Sequence, residues 1–330
     1  NAPAGSVLVA RDFTPSMTVG IRRENVAGII TEVGGTTSHS AILARALEIP
    51  AVLGVPGALA AIATGQAIAL DGERGHVYVE PDERTRKDYE ARKAEFEAQR
   101  QLLKEYMEKP TVTAEGRPVA LYANIGSPKD AEAALEKGAE GVGLFRTEFL
   151  FMDRAELPTE EEQLAAYRQV AALFAGKEVV IRTLDVGGDK AIPYLHMERE
   201  ENPFLGQRAL RLCFAHPQLL RTQFRAALRA AAHGSLWLML PMVSGIEDFC
   251  RAKQMLEQAR TELAAQGIGP LGEVKLGVMI ETPAMVMMAP EIARRADFAS
   301  IGTNDLCQYL TAADRMNPAV APYCRATHPA

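Results

Sequence analysis

From Thr111 onward, short apolar runs alternate with longer helical patterns, and this alternation restricts the fold more than any other feature of the chain. Six runs have the length and composition of strands: Val119–Ile125, Gly141–Phe145, Val179–Asp185, Leu236–Val243, Leu276–Ile280 and Phe298–Gly302. Helical stretches lie between them, for example Glu160–Ala175 and Ile246–Gln266. Strands separated by helices cannot pair as hairpins, so the region is built of parallel βαβ units. Six such strands suit an open doubly wound sheet or a (β/α)8 barrel two units short. Periodicity leaves that choice open.

The chain before this region differs in texture. Up to about Pro81 it reads as a small α/β domain, with strand-like runs at Val7–Ala10, Gly28–Thr31, Ala51–Leu53, Ala67–Leu70 and His76–Val79. Turn residues such as Asp71-Gly72 separate them, and helical patterns follow Thr14 and His39. From Asp82 to Lys109 there is no glycine or proline, and Glu, Lys, Arg and Ala dominate. Tyr89, Phe96 and Leu103 recur there at heptad-like spacing. This predicts one long solvated helix with a narrow apolar seam, ended by Pro110. It serves either as a surface helix packed on a domain or as a moving connector between domains.

The polar chemistry of the second region gathers at strand ends. Arg146-Thr147-Glu148 follows one strand, Arg182 to Lys190 ends the next, Glu281-Thr282-Pro283 ends a later one, and Gly302-Thr303-Asn304-Asp305 ends the last. Parallel α/β folds bind ligands at the carboxyl ends of their strands. Arg146, Arg182, Lys190, Arg208 and Arg315 suit a phosphate and a carboxylate, because the guanidinium fork matches both groups. Glu281 and Asp305 are hard oxygen ligands of the kind Mg²⁺ takes. Singly, each of these residues reads as an ordinary surface or ion-pair residue. The glycines of Gly141–Gly143 read as turn chemistry.

One turn of the first domain carries a distinct signal. Gly34-Gly35-Thr36-Thr37-Ser38-His39-Ser40 precedes an apolar helical pattern, which puts His39 at or near a helix N-terminus. Free N–H groups and the helix dipole favour an anion there, and an imidazole there can accept a phosphoryl group. A simple helix cap containing a histidine explains the same residues.

Composition excludes several classes. Net charge is −6, with no basic cluster interleaved with aromatics, which argues against nucleic acid as a partner. No apolar run reaches the length of a membrane span, and Asn1–Gly5 lacks the pattern of a signal peptide. The absent initiating Met suggests a fragment or a processed chain. Cys213, Cys250, Cys307 and Cys324 show no metal-ligand spacing; free thiols in a reducing, cytoplasmic compartment are expected.

Several long motifs now stand in order: GGTTSHSAILARALEIPAVLG, GVGLFRTEFLFMDR, RTLDVGGDK, ENPFLGQRALR, MIETPA and SIGTNDLCQY. Together they resemble Enzyme I of the bacterial sugar phosphotransferase system, the phosphoenolpyruvate–protein phosphotransferases, over essentially the whole chain. Pyruvate phosphate dikinase and phosphoenolpyruvate synthase share the TSH and RTE elements, but RTLDVGGDK and ENPFLG favour Enzyme I. The resemblance implies a swivelling phosphohistidine domain (1–81), a linker helix (82–110) and a (β/α)8 TIM-type barrel (111–330), incomplete at its C-terminus. It implies that His39 is phosphorylated by phosphoenolpyruvate and passes the group to a histidine of the phosphocarrier HPr. Arg146, Arg182, Lys190, Arg208, Asn304 and Arg315 would bind phosphoenolpyruvate, and Glu281 and Asp305 would hold Mg²⁺. The parent would dimerise through the barrel.

The sequence departs from that pattern at both ends. The HPr-docking helical subdomain is expected before Asn1, and the last two barrel units, with a glycine-flanked cysteine thought to protonate enolpyruvate, after Ala330. None of the four cysteines stands in that context. Rival readings are an ATP-dependent relative of the dikinase type and a non-catalytic phosphoenolpyruvate-binding regulator.

Overall fold

The computed structural model describes residues 3–13, 25–34, 40–41, 44, 49–107, 109–152, 154–187, 192–195, 198, 200–317 and 319–330. The chain divides into two compact units, Asn1–Tyr106 and Met107–Ala330.

In the first unit, β1 (Ser6–Ala10), β2 (Val26–Thr31) and β3 (Ala51–Val52) form a parallel sheet in that order. The central strand is apolar on both faces, and Ile29 and Ile30 are fully buried, as expected for a parallel strand covered on each side. A short helix, α1 (Ala58–Ala61), precedes an antiparallel hairpin of β4 (Ile68–Asp71) and β5 (His76–Val79). Its turn forms because the Asp71 carboxylate accepts the backbone N–H groups of Glu73 and Arg74, each at 3.0 Å. The local side-chain bond replaces ladder bonds that the turn gives up.

The helix α2 (Glu83–Met107) follows. Asp82 starts it by accepting the Thr85 N–H at 2.7 Å. Its early turns are anchored to the hairpin: the Tyr89 ring meets Tyr78 edge-on at 5.6 Å, and Arg92 reaches Asp71 at 3.4 Å. Further along the seam, Phe96 and Leu103 are 66% and 65% exposed, and no residue of the helix is buried.

The second unit contains six parallel strands: β6 (Tyr122–Ile125), β7 (Gly141–Arg146), β8 (Glu178–Arg182), β9 (Ser235–Leu240), β10 (Val274–Ile280) and β11 (Ala299–Ile301). They pair strictly in chain order, and every ladder is parallel. A doubly wound sheet reverses its strand order at a switch point, whereas a (β/α)8 barrel never does. The order therefore resolves the choice that periodicity left open, and the unit is a six-stranded arc of TIM-barrel type. The first of the expected strands is shorter than its apolar run. Val119 donates instead to the Thr111 carbonyl at 2.9 Å, and Val112 bridges Pro118, so this stretch begins as a small antiparallel turn. The glycines at 141 and 143 also differ from expectation, because they lie inside β7. A Cβ on Gly141 would stand 2.9 Å from the Glu178 carbonyl, and one on Gly143 would stand 3.1 Å from Tyr122 Cβ. They are there for space within the ladder rather than for a turn.

Helices α3 (Pro128–Glu136), α4 (Glu160–Leu173), α5 (Ala209–Ala215), α6 (Pro217–Ala230), α7 (Ile246–Ala265), α8 (Pro283–Met287), α9 (Ala289–Ile292) and α10 (Thr303–Thr311) connect the strands. Their starts are written locally. Ser127 caps α3 ahead of Pro128, and Thr159 and Glu162 form a reciprocal capping box on α4. Phe145, Tyr167, Phe224 and Phe249 are buried in the layer between sheet and helices. Among the described residues, no helix is long and apolar enough to cross a membrane.

Candidate functional site

The carboxyl ends of β7, β8, β10 and β11 carry the charged residues singled out in the sequence. Arg182, the last residue of β8, is buried, and its guanidinium pairs with two carboxylates. Nη2 donates to Glu148 Oε1, and Nη1 lies 2.9 Å from Asp185 Oδ2. Arg208, the residue just before α5, is buried as well. Its Nη2 lies 3.0 Å from Asp185 Oδ1 and its Nη1 2.7 Å from Asp305 Oδ1. Arg315 places Nη1 3.1 Å from the second oxygen of Asp305. Asp185 thus bridges Arg182 and Arg208, and Asp305 bridges Arg208 and Arg315.

Burial alone would lower the Arg208 pKa. The carboxylates of Asp185 and Asp305 more than offset that effect and hold its pKa above the ordinary arginine value. Arg182 shows the same balance, with desolvation opposed by Asp185, Glu148 and Glu281. Such pairs add little net stability over an apolar substitute, but removing one partner costs about 3–5 kcal/mol because a buried charge is left alone.

Glu281 is 0% exposed. One oxygen accepts the Met242 N–H at 2.7 Å, and Oε2 is buried with no hydrogen-bond partner among the described residues. Burial, reinforced by the neighbouring charge of Asp185, pushes its carboxyl up to about 7. A Cβ on Gly302 would fall 2.6 Å from that free oxygen, so the glycine of Gly302-Thr303-Asn304-Asp305 keeps the space beside it open.

A buried amide beneath the site fixes the strand ends. Gln223, on α6, accepts the Leu184 N–H at 2.9 Å and donates to Thr147 Oγ1 at 3.2 Å and to the Tyr167 hydroxyl at 3.3 Å. Thr147 in turn donates to the Arg182 carbonyl at 3.0 Å. The ends of β7 and β8 are therefore locked together directly under Arg182.

Of the expected site residues, Arg182, Arg208, Arg315, Glu281 and Asp305 come together. Arg146 ends β7 and is exposed, and its side chain holds no hydrogen bond or ion pair to another described residue. Asn304, in the first turn of α10, is exposed too. Lys190 and His39 lie outside the described residues. Beside His39, Ser40 is helical and buried, and its hydroxyl donates to Asp12 at 2.7 Å. The sequence reading gave no role to Glu148, Asp185, Gln223 or Tyr309. Gln223 had a legible signal, because it is a polar residue on the apolar face that carries Leu219, Leu220 and Phe224. Glu148 and Asp185 had none beyond their place in the motifs.

Chemically, the site presents cationic groups at strand ends and a row of carboxylates among them. Among the described residues, no three His, Cys, Asp or Glu side chains converge as a ready-made metal cage. Mg²⁺ takes one or two protein carboxylates and fills its shell with substrate oxygens and water. Glu281 Oε2, without a hydrogen-bond partner among the described residues, fits such an ion, and the charge of Asp305, itself paired with Arg208 and Arg315, lies near it.

Comparison with known proteins gives matches along both units. Residues 2–75 match the family model described as PEP-utilising enzyme, mobile domain, and residues 100–330 match PEP-utilising enzyme, PEP-binding domain. Curated proteins named phosphoenolpyruvate-protein phosphotransferase, from Bacillus sp. (strain S) and Geobacillus stearothermophilus, are each 48% identical over 324 residues, or 98% of this chain and 56% of the relative. The protein of that name from Bacillus subtilis (strain 168) is 46% identical over 324 residues, covering 98% of this chain and 57% of its own length. The chain thus spans a little over half the length of these relatives.

Proposed function

The chain belongs to the phosphoenolpyruvate-utilising enzymes, and from that premise we propose that it transfers the phosphoryl group of phosphoenolpyruvate to His39 and then to a histidine of the phosphocarrier HPr. The observation that carries this reading is the linked set of Arg182, Arg208 and Arg315 around Glu281 and Asp305 at the strand ends. Phosphoenolpyruvate bears a phosphate and a carboxylate close together, and an arginine array matches both. The buried arginines keep their charge in a site of low polarity, where charge on a moving phosphoryl group is stabilised most. Arg146, exposed at the end of β7, is free to meet the anion first.

In the reaction, an unprotonated imidazole nitrogen of His39 attacks phosphorus. The bond from phosphorus to the enol oxygen breaks, and the enolate leaves and takes a proton to become pyruvate. The arginines hold the anion in line and neutralise the equatorial oxygens. Mg²⁺, held by Glu281 and Asp305, would supply a Lewis acid at the phosphoryl oxygens. Lys190 and Asn304 complete the proposed substrate contacts. The phosphohistidine then delivers its group to HPr, which requires the domain bearing His39 to serve two places. The names of the relatives and the order of the motifs support this reading over the ATP-dependent alternative.

His39→Ala tests it. Incubation with ³²P-labelled phosphoenolpyruvate and Mg²⁺ should label the wild-type chain and leave the variant unlabelled, while calorimetry shows phosphoenolpyruvate binding to both. Undiminished labelling of the variant removes His39 from the role. Labelling from ATP instead of phosphoenolpyruvate assigns the chain to the dikinase type.

A further inference from the structure

Phe204 lies in the one-turn 3-10 helix Pro203–Leu205, between β8 and α5 in the chain, and is half-buried. Its ring has two cationic neighbours. The guanidinium carbon of Arg208 lies 5.6 Å from the ring centroid, and that of Arg315 lies 5.5 Å from it. These two arginines are the pair that shares Asp305, one on each oxygen. The turn itself is pinned by Tyr309 of α10, whose hydroxyl donates to the Phe204 carbonyl at 2.5 Å and accepts from Arg208 Nη1 at 3.2 Å.

We infer that Phe204 is a positioning residue, a shared aromatic platform that fixes the spacing of Arg208 and Arg315 for a substrate bearing two anionic groups. The inference rests on the phosphoenolpyruvate reading above. An arginine free in solvent carries about 2 kcal/mol of rotamer entropy, and ordering two of them at the moment of binding weakens affinity. The Asp305 carboxylate orders both, and Asp185 also holds Arg208. That restraint competes with the substrate, because it uses the N–H donors that an anion needs, and it weakens if the carboxylate turns to a cation. The ring contact consumes no donor. It therefore persists when phosphate or carboxylate oxygens replace Asp305. Tyr309 keeps the platform in register with Arg208 by holding the backbone of Phe204 and one guanidinium nitrogen through a single oxygen.

Phosphoenolpyruvate with Mg²⁺ is titrated calorimetrically into the wild-type chain, Phe204→Leu and Phe204→Tyr. Two cation–π contacts of ordinary strength correspond to roughly a tenfold effect on Kd. Phe204→Leu should bind about tenfold more weakly, and Phe204→Tyr, which keeps a ring, within about twofold of wild type. A second readout needs no substrate. The Nε–H resonances of Arg208 and Arg315, assigned through Arg208→Lys and Arg315→Lys, should lose their ring-current shift in Phe204→Leu and keep it in Phe204→Tyr. Equal affinity of Phe204→Leu and wild type, or loss of affinity in both Phe204 variants, overturns the inference. Should Phe204→Leu fail to fold, Tyr309→Phe decides, and an unchanged Kd there also overturns it. A wild-type chain that binds no phosphoenolpyruvate but shows the ring-current shifts counts against the functional reading and leaves the platform standing.

Discussion

Glu281 shows how far one residue's environment can be pushed by its position at a strand end. Its carboxyl stands at about 7 against an ordinary 4.5, first because it is desolvated and then because Asp185 lies near. A carboxyl whose pKa is raised on folding favours the folded state while protonated. Its contribution is therefore complete below the ordinary carboxylate pKa and is lost as pH rises through about 7. The full loss is on the order of 3 kcal/mol. Glu281→Gln removes the titration, so in EDTA the variant should match the wild type near pH 4 and exceed it by up to about that amount near pH 8. Urea unfolding at the two pH values checks this. A stability difference that does not change with pH would show that Glu281 is ionised throughout. The sequence made Glu281 and Asp305 visible because apolar runs end just before them, and ends of parallel strands are where ligands bind. Glu148 and Asp185 stand inside the motifs with nothing in the sequence to mark their part. Their role is to pair with particular arginines, and Glu148 lies 34 positions from its partner Arg182. Arg208 and Asp305 are 97 positions apart. No local pattern encodes these two long-range pairings, although Asp185 also pairs with Arg182 only three positions away.

Elements were easier to read than their partners. The capping box of Thr159 and Glu162 and the prolines that open α3, α6 and α8 mark helix starts from within a few residues. The strand Tyr122–Ile125 is shorter than its apolar run, because apolarity alone cannot separate a ladder strand from the antiparallel turn over 111–119 that precedes it. The helix α2 divides its seam in two. Tyr89 packs on Tyr78 with Arg92 over its ring at 5.7 Å, whereas Phe96 and Leu103 face solvent. Tyr89→Ala should therefore destabilise the first unit by about 1–2 kcal/mol, from lost aromatic and cation–π contact. Phe96→Ser and Leu103→Ser should stay within about 0.5 kcal/mol, as exposed positions do. Thermal unfolding of the three variants checks the contrast. A cost at Leu103 as large as at Tyr89 would mean that the distal seam is covered in the protein in solution.

At the scale of the whole molecule, strand order was the step that sequence could not supply. Periodicity reports that a strand is parallel and buried, but which strand lies beside which is a non-local property; here it is the unbroken order β6 to β11 that selects the barrel. The same scale separates the proposed chemistry. His39 belongs to the unit Asn1–Tyr106, while Arg146, Arg182, Lys190, Arg208, Glu281, Asn304, Asp305 and Arg315 all belong to Met107–Ala330. The second unit has its own contiguous hydrophobic core, running from Ile125 to Ile292, which is what an independently folding piece requires. Residues 107–330 alone should therefore bind phosphoenolpyruvate and Mg²⁺ with a Kd within about threefold of the full chain, because the proposed contacts lie within it. They should take up no ³²P from phosphoenolpyruvate, because the acceptor histidine is on the other unit. Adding residues 1–106 as a separate chain should restore labelling only at high concentration, since covalent linkage supplies an effective concentration in the millimolar range. Calorimetry and a labelling time course on the two pieces measure this. Phosphate on residues 107–330 by themselves would place a second acceptor in the barrel unit and overturn the division of labour between carrier and donor site.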